Sequence, residues 1–275
     1  RQKAELLESL DVPFDEVGVN DLPEALSRLQ LARLLIIYRL PRDARMNALL
    51  HEAQRLRIPT VFEVDDVVHR RDLVASNPNL STLPWALRSA TIKGADDYRA
   101  TLDSTQANLA STARLASDMK HLNGAPSFVV ENGIDRQMLA VEAGVRKSPP
   151  APRTGPVVLY GSGSRAHDRD FELAAPGLAR WLSENPTGSL RLIGTVAVPQ
   201  VLVPHSAQIT SLPELPFPEY LRELSRATVA LAPLTDDPFN VFKSNIRYLE
   251  SGLMGTPLVA SPTLYADYIE PGRTG

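Results

Sequence analysis

The stretch Val157-Val-Leu-Tyr-Gly-Ser-Gly-Ser-Arg-Ala-His-Asp-Arg-Asp170 runs from an apolar block through a Gly-Ser-Gly turn into a polar helix start. A short apolar run closed by glycine, then apolar residues at 3.6-residue spacing over 170–182, reads as one strand–turn–helix unit. The same unit recurs outward in both directions. Downstream, strands are expected over 190–193, 208–211, 229–231 and 257–260, with helices over 219–227 and 243–253. Upstream, helices over 1–10, 22–29, 43–57 and 111–122 are interleaved with strands over 15–19, 34–38, 59–64, 107–110 and 128–130. Strands alternating with helices build parallel sheets, so the expected fold class is α/β with two Rossmann-like parallel-sheet domains.

The boundary falls at Arg146-Lys-Ser-Pro-Pro-Ala-Pro-Arg-Thr-Gly155, which has four breakers and almost nothing to bury. The expected division is residues 1–142, a linker over 143–155, and residues 156–275. With 275 residues, 43% of them apolar, the chain has core material for two medium domains. The formal charge is −3, with 17 basic against 20 acidic side chains up to residue 142 and 12 of each beyond it. Neither part is a basic module, which argues against a nucleic-acid partner. The lack of cysteine excludes a disulfide framework, a thiolate metal site and a cysteine nucleophile. The longest apolar run, 34–38, is far short of the ~20 residues a membrane-spanning helix requires.

Two helix starts carry the candidate chemistry. At the first, backbone amides of Gly161, Ser162 and Gly163 and the side chains of Arg165, His167 and Arg169 favour an anion. The competing structural reading is an ordinary turn with Asp168 or Asp170 as helix cap. Ala166 leaves the dinucleotide pattern Gly-x-Gly-x-x-Gly incomplete, which disfavours a nicotinamide cofactor. At the second, Leu231-Ala-Pro-Leu-Thr-Asp-Asp-Pro-Phe-Asn240 leads from a strand toward a helix whose first turn is expected to carry Lys243, Ser244 and Asn245. Glu250, seven residues after Lys243, then falls on the same helix face; its alternatives are a pair with Arg247 or a solvated carboxylate. Ligands of open α/β sheets bind beyond the carboxyl ends of strands, so both loops can share one ligand.

The stretch Asn240-Val-Phe-Lys-Ser-Asn-Ile-Arg-Tyr-Leu-Glu-Ser-Gly-Leu-Met-Gly-Thr-Pro-Leu-Val-Ala-Ser261 resembles the donor-binding segment of retaining family 4 glycosyltransferases of the GT-B fold. The matching branch has a Phe-Asn, Lys-Ser, Leu-Glu signature. Ile58-Pro-Thr-Val-Phe-Glu-Val-Asp-Asp66, Ser111-Thr-Ala-Arg-Leu-Ala116 and Val129-Val-Glu-Asn-Gly-Ile-Asp135 resemble further landmarks of that branch in the same order. The resemblance implies two domains facing a cleft, acceptor side over 1–142 and donor side over 156–275. It also implies a first strand ahead of Arg1 and terminal helices after Gly275.

Carried onto these residues, the resemblance implies that Glu250 binds the donor ribose hydroxyls. Lys243 and the Ser244 and Asn245 amides hold the diphosphate, with Asn240 beside them. Gly161, Ser162 and His167 fall in the family's diphosphate pattern; Ser162 and His167 replace its two cations, leaving Arg165 to compensate. Phe242 replaces the first glutamate of a more common paired-glutamate pattern. Asp65 and Asp66 fall where many relatives carry an active-site histidine, and with Lys243 they are the expected catalytic residues. Two other readings of that acidic segment stay open: a metal-binding pair of Glu63 and Asp65, and a loop-entry pair held by Arg70 or Arg71. His69 reads as a solvated loop histidine.

The implied activity is that of a metal-independent, hexosyltransferase-type enzyme. It moves a sugar from a nucleotide diphosphate sugar to a hydroxyl of a glycan or lipid-linked acceptor with retention, and no cofactor is expected. The implied setting is bacterial polysaccharide assembly in the cytoplasm, with peripheral contact to the inner membrane. The alternatives are a degenerate GT-B domain that binds a nucleotide or a protein without transfer, and a nucleotide-sugar epimerase on the same fold.

Overall fold

The computed structural model describes residues 2–18, 20–151, 154–163 and 167–274 and contains two parallel sheets. In the first, β1 (Leu35–Tyr38), β2 (Thr60–Val64), β3 (Ala107–Ala110) and β4 (Ser127–Val129) pair in chain order. In the second, β5 (Val157–Ser162) is central, flanked by β6 (Ser189–Gly194) and β7 (Ile209–Leu212) on one side and by β8 (Val229–Ala232) and β9 (Leu258–Ala260) on the other. The chain leaves β5 toward β6 and later returns to β8, so the switch point lies at the carboxyl ends of β5 and β8.

The helices of the first part are α1 (Gln2–Ser9), α2 (Leu22–Leu29), α3 (Ala44–Leu56), α4 (Arg71–Ser76), α5 (Trp85–Leu102), α6 (Ala113–Asn123) and α7 (Arg136–Lys147). Those of the second are α8 (Asp168–Glu184), α9 (Phe217–Ser225), α10 (Ile246–Leu253) and α11 (Pro262–Tyr265). Their boundaries follow local chemistry. Asp43 accepts the Met46 N–H at 2.7 Å to open α3, and Arg57 closes it in the left-handed region at φ 58°. Thr112 opens α6 by accepting from Leu115, and Gly124 ends it at φ 70°.

Helices cover both faces of the second sheet. Leu159, Ile193, Leu221 and Leu224 fill one side, and Tyr160, Phe171, Leu190 and Leu192 the other. The first sheet buries Ile37, Phe62 and Val64 against Leu102, Leu115 and Met119. Each fully buried side chain of this size contributes about 1.5–3 kcal/mol.

Several expectations are corrected. Residues 12–18 are irregular, with only Phe14 and Val17 half-buried, and Val19 lies outside the described residues, so no strand forms over 15–18. Half-burial three residues apart does not fit the two-residue alternation of a strand. The aliphatic run at 34–38 becomes an edge strand in which only Ile37 is buried, not a strand buried on both faces. The segment read as a linker begins inside α7, whose Met138 and Val141 pack with Leu159 and Leu221 in the second core. The helix expected from 243 starts at Ile246. Ahead of it, Asn240–Phe242 closes a separate 3-10 turn by accepting the Lys243 N–H, and Lys243 itself is extended at φ −64°, ψ 157°, which stops helix propagation.

Candidate active site

The segments that leave β5 and β8 meet at the switch point. Gly161 stands where any side chain would press on a ring, since a Cβ there would lie 3.0 Å from Tyr220. The Tyr220 hydroxyl accepts from Arg247 at 3.4 Å and is hydrogen-bonded to Glu250. Burial pushes Tyr220 up to about 12 and also raises the Glu250 carboxyl, against the opposing pull of Arg247 and the Tyr220 hydrogen bond. Glu250 is therefore a buried carboxylate held in an Arg–Tyr cluster, not a solvated one, and it shares no helix face with Lys243 because that residue precedes α10.

At the start of α8 the protein supplies its own acceptor and two buried carboxylates. Asp168 is buried and accepts the Ala197 N–H at 3.2 Å, and the Arg169 N–H donates to Asn79 Oδ1 at 3.0 Å. Asp170 is fully buried. Its Oδ1 accepts from the Thr235 N–H at 2.9 Å, the Thr235 hydroxyl at 2.8 Å and Asn240 Nδ2 at 3.1 Å. Its Oδ2 lies 2.9 Å from His167 Nδ1 and 3.3 Å from Asn79 Nδ2. Burial works to raise this carboxyl, but the bonds from His167 and Thr235 outweigh it and hold the group below its usual range. Ser162 is buried with its carbonyl accepting the Thr195 N–H at 3.0 Å, Gly163 is exposed, and Arg165 lies outside the described residues.

The start of α10 differs. Asp237 accepts the Phe239 and Asn240 N–H groups at 2.8 and 3.1 Å, turning the chain so that Phe239 and Phe242 pack on the first core. Phe242 O accepts from the Thr112 hydroxyl at 3.4 Å, and Ser244 Oγ accepts from Asn132 Nδ2 at 2.9 Å. Between them, Lys243 Nζ reaches Asp66 Oδ2 at 4.0 Å and lies 5.3 Å from the Phe239 ring centre. The N–H groups of Ser244, Asn245, Ile246 and Arg247 have no partner among the described residues.

Of the acidic pair, Asp66 faces Lys243, while Asp65 accepts from Arg39 at 3.0 Å and from the Tyr38 hydroxyl at 3.1 Å. Neither is held by Arg70 or Arg71: the first pairs with Asp72 and Asp118, the second with Asp96. Among the described residues, no group of three His, Asp or Glu side chains stands close enough to hold a metal ion. His69 is buried, not solvated; its Nε2 lies 3.1 Å from Asp118, and its Nδ1 finds no partner among the described residues. A cleft of about 670 Å³ is lined by His69, Arg71, Arg99 and His121, among others, and by none of the residues that leave β5 and β8. Its arginines are already paired with carboxylates.

Spacing points to Lys243 and Glu250 and the resemblance to Asp66, but neither points to Asn79, Asn132, Thr112 or Tyr220. These reach the site from distant segments; Thr112 lies inside Ser111-Thr-Ala-Arg-Leu-Ala116 and Asn132 inside Val129-Val-Glu-Asn-Gly-Ile-Asp135, whereas Asn79 and Tyr220 lie in stretches that carry no motif.

The architecture is the GT-B fold: two Rossmann-like α/β units with parallel sheets. The chain is similar to the pneumococcal O-GlcNAc transferase GtfA, solved with UDP and GlcNAc, at 14% identity and TM-score 0.54, over 90% of this chain and 47% of that one. It is similar to an α,α-trehalose 6-phosphate synthase from Burkholderia multivorans at 12% identity and TM-score 0.50, over 93% of this chain and 64% of that one. The apo structure of OtsA superposes at 12% identity and TM-score 0.52, over 93% and 66%. The chain thus spans from about half to two thirds of the length of these neighbours. No protein family and no curated protein matches it in sequence.

Proposed function

We propose that the protein transfers a sugar from a nucleotide diphosphate sugar to a hydroxyl acceptor, with the donor held by residues 156–275 and the acceptor by residues 1–142. The observation that carries this reading is the α10 start, where Lys243 and open backbone N–H groups stand at the switch point opposite Asp66. A helix start with an added ammonium suits a diphosphate, and the same donors stabilise the charge on the departing nucleotide. In this reading Lys243, Ser244 and Asn245 hold the diphosphate, Asn240 orders their loop, and Glu250 accepts from the ribose hydroxyls. Asp66, with Asp65 behind it, faces the reacting sugar and the acceptor, where a carboxylate steadies developing positive charge. Lys243 and the amides do the work a metal ion does elsewhere, and transfer proceeds with retention. Closure of the two halves over the donor excludes water that would hydrolyse it.

The acceptor class, glycan or lipid-linked, and a place in polysaccharide synthesis at the cytoplasmic membrane face rest on the sequence resemblance. No described helix is long and apolar enough to cross a membrane. Calorimetry with a panel of nucleoside diphosphates and nucleotide sugars tests the reading: selective binding is expected, and its loss in Lys243→Ala. A folded protein that binds none of them would refute it. A second reading, a binding module without transfer, draws on the α8 start, where the two cations of the family pattern are missing, Asn79 takes the Arg169 N–H and Asp168 and Asp170 are buried. Hydrolysis of bound donor separates the two, since a module consumes nothing.

A further inference from the structure

We propose that Asp170 is a positioning residue that ties His167, the 235–240 segment leading to Lys243, and Asn79 of the first sheet's half to one carboxylate. This rests on the donor-site reading above. A carboxylate that merely capped α8 would bond its own helix. Instead, the donors from Thr235, Asn240 and Asn79 lie 65, 70 and 91 residues away in sequence. A carboxylate offers about four acceptor positions, so with His167 added its capacity is filled.

Each bond has a consequence for the cleft. The carboxylate is acceptor-only, so His167 Nδ1 carries the proton in that contact and Nε2 is the position left to act, on a side chain that is 30% exposed. The Thr235 and Asn240 bonds fix both ends of the turn that Asp237 closes, and that turn sets where Phe239, Phe242 and Lys243 lie. Asn79 joins from the other half, with Nδ2 on Asp170 and Oδ1 on the Arg169 N–H. The loop that presents Lys243 is therefore fully ordered only when the two halves are apposed, and moving them apart removes a donor from the carboxylate that orders it.

Hydrogen exchange on the full chain tests this without reference to activity. In Asp170→Asn, amides over 235–245 are expected to exchange at least ~10-fold faster, the factor that corresponds to losing a charge-assisted bond, while β5 and β6 stay protected. Asn79→Ala, which keeps the carboxylate, is expected to speed the same segment about threefold. In ¹⁵N-histidine spectra, with the His167 signal identified by its loss in His167→Gln, the neutral ring is expected to carry its proton on Nδ1. Unchanged protection over 235–245 in either folded variant, or a proton on Nε2, would overturn the proposal. If the wild type transfers sugar, kcat of Asp170→Asn should fall by roughly 10²-fold with KM for donor within about twofold. A raised KM at constant kcat would mark a binding role and overturn it. A wild type that turns over no nucleotide sugar refutes the glycosyltransferase reading alone, and the exchange and imidazole data still decide the role of Asp170.

Discussion

Helices α8 and α10 start at the carboxyl ends of the paired strands β5 and β8, and by backbone geometry both starts attract negative charge. They are filled in opposite ways. The first turn of α8 carries two buried carboxylates, Asp168 and Asp170, and its Arg169 N–H is already bonded to Asn79. The first turn of α10 carries no acidic residue, its leading N–H groups are open among the described residues, and Lys243 stands just ahead of it. A glycine-bearing turn into a helix is therefore not enough to make an anion site. The side chains of the first turn decide whether the helix dipole serves the fold or stays open to a ligand, and here α8 carries its own buried carboxylates while the α10 start carries none.

The comparison breaks most readily at Lys243. Lys243→Ala is expected to lower turnover by roughly 10²-fold, the loss typical of one preorganised charge donor. Its melting temperature should stay close to wild type, because the pair with Asp66 is 4.0 Å long and partly solvated. Steady-state kinetics on the complete protein with unchanged turnover would put the anion site elsewhere. The opposite signature is expected at α8. Asp170→Asn should cost about 2 kcal/mol of stability at neutral pH, since buried donors lose a charged acceptor. The folded carboxyl lies below its ordinary value of 3.8, so its stabilisation is complete above that pH and is lost as pH falls through the folded value. Denaturant titrations of wild type and variant should therefore differ at pH 7, begin to approach each other below pH 3.8 and converge only below the folded value. A gap independent of pH would mean that packing, not the carboxylate, is what the variant loses.

That asymmetry also marks how far the sequence could be read. Parallel α/β architecture follows from alternating periodicities, and the β5 and β8 units stood out because glycine or proline bounds each strand. Lys243, Asp66 and Glu250 were legible as residue types at suggestive places. What they touch was not. Lys243 leaves the helix because Asn240–Phe242 forms its own turn, a choice made by Asp237 and by Phe239 and Phe242 docking on the other half. Asp170 reads as a cap because its local spacing permits one; four of its five bonds come from residues 65 or more positions away. The helix α5 escaped notice because its first turns are wholly exposed, so no apolar stripe announces it. Local signals travel along the chain, whereas the site is made across it.

Two smaller effects sharpen the contrast from the α10 side. Glu250→Gln keeps the shape of the buried Arg–Tyr cluster but offers the ribose one acceptor in place of two. Nucleoside diphosphate affinity should fall about tenfold while inorganic pyrophosphate binds as before, because only the nucleoside brings hydroxyls. Equal losses for both ligands would indicate that the variant disturbs Lys243 through α10. Asn132→Ala acts at the other end of the segment by removing the 2.9 Å bond to Ser244 that holds the α10 approach against the first half. The loss should be near 1 kcal/mol, read as about a fivefold rise in the dissociation constant for nucleoside diphosphates. The neighbouring contact, from Thr112 to the Phe242 carbonyl at 3.4 Å, is longer and should matter less, so Thr112→Val should change affinity by under twofold. If the two variants were equal, the segment would be held by Phe239 and Phe242 packing alone. The polar bonds across the cleft would then follow its placement and not set it.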